Sequence, residues 1–107
     1  MNFMKEYKPK KSRIYKYGDK IQVIKQIERG AKYYSGVTGR YVSAHSEHVN
    51  YQGKCGIITE IFNGGEYYYI QFGEYVSKEY WVESMFEPIN KKFNGLLEQE
   101  EGKIDDI

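Results

Sequence analysis

At 107 residues the chain has room for one domain of ordinary size, and too little interior for a deep enclosed active site. It is 40% hydrophobic and 29% charged, with 12 tyrosines, a residue of high β propensity whose polar tip suits small sheets and half-exposed binding faces. The formal charge of +1 conceals a basic leader: seven Lys or Arg against two acids in residues 1–20, six against eight in 21–90, three against five in 91–107; a dedicated nucleic-acid binder concentrates its positive charge on the folded face, so that class is disfavoured.

Residues 1–14 are polar, basic and interrupted by Pro9, and are expected to form a flexible leader. Tyr17-Gly18-Asp19 reads as a turn into a first strand over 20–27, where Ile21 and Val23 alternate with Lys20 and Gln22. Residues 28–52 are irregular, punctuated by Gly30, Gly36 and Gly39; this span is long for a plain connection, so it holds its own small hairpin or acts as a functional loop. A β-branched strand over 57–62 leads into Asn63-Gly64-Gly65, a strong signal for a tight primed turn. On the return strand over 66–72, Tyr68, Ile70 and Phe72 face one way and Tyr67, Tyr69 and Gln71 the other. A strand over 80–83, one helical turn at Ser84-Met85-Phe86 and an edge strand from Pro88 complete the domain. Residues 91–107 read as a short helical or disordered acidic tail. The expected core is Ile21, Val23, Cys55, Ile58, Ile61, Tyr68, Ile70, Phe72, Val82, Phe86 and Ile89.

Three segments carry a family resemblance. Tyr17-Gly18-Asp19-Lys20-Ile21-Gln22-Val23 resembles the opening G-D-x-V-x-V strand of SH3-like barrels. Gly53-Lys54-Cys55-Gly56-Ile57-Ile58, continued by Ile61, is similar to the G-K-x-G-x-V-x-x-I core of a KOW motif. Trp81-Val82 with Phe86-Glu87-Pro88 resembles the closing W-V … L-E-P segment. The resemblance implies a mostly β fold over 15–90, a small SH3-like barrel of about five strands with a long insertion after the first. It also implies a ligand groove lined by loop aromatics.

Chemistry-bearing residues are sparse. Cys55 is the lone cysteine, so no intrachain disulfide forms, and its place in the core pattern argues for a small buried side chain rather than a nucleophile. His45, Glu47 and His48 lie close in sequence, but a zinc site needs four ligands, or three and water, so a solvated polar loop is expected and no metal. Glu60 and Glu66 flank the hairpin as solvated acids, and Gly53-x-x-Gly56 lacks the Lys-Ser/Thr ending of a phosphate loop. No catalytic residue, enzymatic activity or cofactor is expected. No apolar run approaches the roughly 20 residues of a membrane span, and no apolar stretch follows the basic start as in a signal peptide, so a cytoplasmic protein is expected. The excess of Lys over Arg, 13 to 3, points to a bacterium of low GC content or its phage.

The aromatics are the more promising class. Tyr33, Tyr34 and Tyr41 from the insertion, with Tyr75, Tyr80 and Trp81 from the closing segments, are the expected partner-binding residues of a protein-interaction module; the pair Tyr67 and Tyr69 is expected on an exposed face. Alternation beside Val82 places Trp81 with a ring edge at the surface, a plug beneath the insertion being the other arrangement. The alternative is a nucleic-acid-binding accessory module, with Lys8, Lys10, Lys11, Arg13 and Lys16 on phosphates and tyrosines stacked on unpaired bases. A further alternative, by size alone, is a small phage or mobile-element inhibitor of a host protein.

Overall fold

Period-two burial builds the scaffold. In β2 (Lys20–Val23) Ile21 and Val23 point inward; in β6 (Tyr67–Phe72) Tyr68, Ile70 and Phe72 do so, while Tyr67, Tyr69 and Gln71 remain half-exposed, as the alternation predicts. The computed structural model describes residues 5–9 and 12–89; Lys10, Lys11 and the expected acidic tail lie outside them. With β5 (Cys55–Phe62), β7 (Tyr75–Trp81) and β8 (Phe86–Pro88) these strands form an antiparallel five-stranded sheet in the order β7-β6-β5-β2-β8. A 3-10 turn at Glu83–Met85 links β7 to β8.

The expected closed barrel is not what forms. The two end strands, β7 and β8, are not paired with each other, and the sheet is open. A second, three-stranded sheet comes from β1 (Glu6–Tyr7), β3 (Lys32–Tyr34) and β4 (Tyr41–Ser43), followed by the short helix α1 (Ser46–Asn50). The inner face of the large sheet is covered by this second layer instead of by curling onto itself: Ile27, Ala31, Tyr33 and Ala44 share one core with Ile21, Ile58, Ile70 and Phe86. The long insertion is thus a hairpin and a helix that add Ala31, Tyr33 and Ala44 to the core.

The leader is not a detached arm over its described residues. Glu6 and Tyr7 pair in parallel with Lys32 and Tyr33, Lys32 N–H donates to the Lys5 carbonyl at 2.9 Å, and the Tyr7 ring stacks on Tyr33 at 4.7 Å. Arg13 N–H donates to the Glu83 carboxylate, and buried Tyr15 packs edge-on against Phe86 at 5.0 Å.

Strand parity on the two sides of one bulge explains which expected core residues of β5 are buried. Ile58 and Ile61 are three apart and both turn inward, which a regular strand forbids; the ladder slips between Ile58 and Glu60, so a bulge at Thr59 reverses the parity. Counting back from Ile58 puts Gly56 inside and Cys55 outside, and Cys55 is exposed rather than buried. Gly56 is required by close approach: a Cβ there would lie 2.5 Å from Ile70 Cγ2 and 2.9 Å from the Gln71 carbonyl oxygen. Ile61 and Ile89 sit at the margin of the core, only partly covered.

The hairpin signal holds. Asn63 and Gly64 have φ of 52° and 68°, and Gly65 N–H donates to the Phe62 carbonyl at 3.1 Å, closing a tight turn with two left-handed central residues. A side chain at Gly64 would meet open space, so the cost of Gly64→Val is conformational only. Loss of about 1–3 kcal/mol is expected in urea unfolding; an unchanged midpoint would show that the turn relaxes freely.

Candidate functional site

Three aromatic groups arise from this architecture. The first lies on the outer face of the large sheet. The parity reversal at Thr59 turns Phe62 outward opposite Tyr67, and Tyr69 lies on the same face. The ladder between β6 and β7 also slips, with Tyr68 opposite Trp81 but Ile70 opposite Ser77, and Tyr80 projects from the bulged stretch. Tyr67 and Tyr80 stack at 4.6 Å, Phe62 meets Tyr69 edge-on at 4.8 Å, and Tyr69 lies 6.3 Å from Tyr80. Tyr80 is 47% and Ile57 39% exposed, so the face offers an apolar, ring-covered surface to solvent.

The second group joins the insertion to the sheet. Tyr51 stacks on Phe72 at 4.1 Å and lies parallel to Tyr75 at 6.1 Å. The Tyr75 hydroxyl donates to Glu47 Oε2 at 3.1 Å, and this bond raises the Tyr75 phenol above its ordinary pKa. The third group is on the small sheet, where Tyr34 and Tyr41 are directly opposite in the β3–β4 ladder with centroids 5.5 Å apart.

The expected partner-binding residues therefore do not form one groove. Tyr34 and Tyr41 share the small sheet, Tyr75 belongs with Tyr51 and Glu47, and Tyr80 belongs with Phe62, Tyr67 and Tyr69. Tyr33 is fully buried, its hydroxyl accepting from Glu28 N–H at 2.9 Å. Trp81 is also fully buried, contrary to the surface placement. Alternation misled because β7 ends at Trp81, and the chain beyond enters the 3-10 turn with Val82 buried as well. Phe62 escaped notice because its outward placement depends on the bulge.

His45, Glu47 and His48 are not a solvated loop. They lie at the start of α1, and His48 is fully buried. Its Nδ1 accepts from His45 N–H at 2.9 Å, which leaves Nε2–H to donate to the Tyr80 carbonyl at 3.1 Å. Burial pushes its pKa down to about 4, His45 adds to that shift, and the Tyr80 carbonyl and Glu47 oppose it. Among the described residues no group of three or more His, Cys, Asp or Glu could hold a metal ion, and no helix is long and apolar enough to cross a membrane.

A groove of about 370 Å³ runs between the leader and the 3-10 turn, with Tyr7, Lys8, Arg13, Tyr15, Glu83 and Phe86 in its lining. Of the expected phosphate-contacting residues, Lys8 and Arg13 line this groove, while Lys16 is exposed at the turn before β2, its N–H donating to Asp19 at 2.8 Å. Glu83 is buried there with Oε1 unpartnered, its other oxygen being held by Arg13 N–H.

Comparison of the chain with protein-family models, curated proteins and solved structures gives no significant match. The KOW-like reading of residues 53–61 is therefore corrected along with the barrel: those residues form a turn and a bulged central strand, and no family model supports the motif. The surface carries tyrosine-rich aromatic clusters of the kind that suit binding.

Proposed function

We propose that the protein is a non-catalytic protein-interaction module that docks a partner on the outer face of its large sheet. The observation that carries this reading is the cluster of Phe62, Tyr67, Tyr69 and Tyr80, in which the exposed Tyr80 ring lies beside the three half-buried others. Their mutual stacking fixes the side chains before binding, so a partner desolvates apolar area at little further entropic cost.

The test is comparative cross-linking in extracts of the source cells. A partner that docks here is captured by the wild type and by Tyr75→Ser but lost with Tyr67→Ser/Tyr80→Ser, a change expected to remove about 2 kcal/mol or more of affinity. Circular dichroism should show all three folded, since both substituted rings sit on the outer face. Equal capture by the double variant would reject this surface.

A further inference from the structure

Going beyond that reading, and on a different face, we infer that the outer face of the small sheet binds single-stranded nucleic acid. The register composes this face. Glu6 is opposite Lys32 in the parallel β1–β3 pair, Tyr34 is opposite Tyr41 and Lys32 opposite Ser43 in the β3–β4 pair. Because Tyr7 and Tyr33 form the inward set, Lys32, Tyr34 and Tyr41 share the outward side, and Lys8 follows Glu6 by two residues onto it. Two tyrosine rings thus stand side by side with a lysine at each: Lys8 Nζ is 5.6 Å from the Tyr34 centroid and Lys32 Nζ 4.6 Å from that of Tyr41.

Charge and ring chemistry together select the occupant. Among the described residues neither Lys8 nor Lys32 forms a salt bridge, so both charges are available to a ligand; Glu6 is the acid on this face. An acidic peptide would use the two ammonium groups and leave the rings idle, whereas a strand of unpaired bases uses both. Stacking a base on a tyrosine is the stronger interaction than an exposed cation–π contact. A base therefore displaces each lysine from its ring, and the released ammonium moves to the adjacent phosphate. Paired bases cannot reach the rings, so duplex is the weaker ligand.

The test is fluorescence anisotropy of a labelled oligothymidylate, an oligouridylate and a duplex of equal length, titrated with the full chain at low and moderate salt. Saturable binding to the single strands and weaker binding to duplex are expected. Tyr34→Ala/Tyr41→Ala should weaken single-strand binding by about 5-fold or more, while Tyr34→Phe/Tyr41→Phe, which keeps the rings, should bind like the wild type. Lys8→Gln/Lys32→Gln should flatten the plot of log K against log salt by about 1.4. No binding at low salt overturns the inference, as does equal affinity for duplex. Unchanged binding by a folded Tyr34→Ala/Tyr41→Ala protein overturns it too, since basic residues elsewhere would then suffice. Competition by polyglutamate as effective as that by oligothymidylate would reassign the face to acidic peptides. Tyr67→Ser/Tyr80→Ser should leave oligonucleotide affinity intact, which separates this face from the one proposed for the protein partner.

Discussion

Trp81→Ala should destabilise the protein by about 3–5 kcal/mol, the cost of removing a large buried aromatic from a core that cannot fully collapse around the cavity. The ring is fully buried, edge-on to His48 at 4.6 Å and tilted against Phe72 at 5.5 Å, so it bridges the insertion helix and the large sheet. Its Nε1–H donates to Ser77 Oγ at 3.0 Å, and that hydroxyl donates to Glu47 Oε2 at 2.5 Å. Truncation therefore empties the seam between the layers and strips the buried Ser77 hydroxyl of its donor. Trp81→Phe keeps most of the volume and should lose much less. Urea unfolding measures both. Free-protein fluorescence gives an independent check: the emission maximum should lie to the blue, with little quenching by iodide. A red-shifted, readily quenched emission, or a Trp81→Ala midpoint near wild type, would show that the ring does not hold the layers together.

That seam also marks where the sequence stops being legible. Local patterns read correctly in kind: the alternation of Tyr68, Ile70 and Phe72 against Tyr67, Tyr69 and Gln71, the Asn63-Gly64 turn, a helical turn that lies one residue earlier than Ser84-Met85-Phe86, and an edge strand that ends at Pro88 instead of starting there. Each depends on residues within a few positions of one another. What failed depends on long-range partners. A two-residue strand such as β1 has no periodicity to detect, and its parallel pairing with β3 depends on Tyr7 meeting Tyr33 across the whole first strand. The bulge at Thr59 carries no residue-type signature, yet it sets which side Phe62 faces and so whether the ring cluster exists. The second layer was likewise hidden, because Ala31, Ala44 and His48 read as loop residues until the insertion folds over Trp81. For the candidate site, alternation alone identified Tyr67 and Tyr69, while Tyr80 and Phe62 join them only through irregularities in the ladders on either side.

Acid should loosen the same seam through His48. His48 is neutral in the folded protein, with its pKa lowered to about 4 from an ordinary 6.5 by burial first and by His45 next. Between these values the unfolded chain binds one more proton than the folded one, so stability falls as pH drops through 6.5 and stops falling from this source below 4. The loss from this residue is on the order of 3 kcal/mol over the full window, of which about 2 kcal/mol falls between pH 7 and pH 5. Protonation acts at a definite atom. Nδ1 accepts from His45 N–H, so a proton placed there sets two donors against each other at the start of α1 and leaves a cation buried beside Trp81. Glu47 is the nearest acid on the helix, but its Oε2 is already engaged by Ser77 and Tyr75. His48→Gln retains an acceptor and a donor without the titration, so its urea midpoint should be nearly level from pH 7 to pH 5, while the wild-type midpoint declines. Parallel declines in the two proteins would assign the acid sensitivity to other groups and remove His48 as its source.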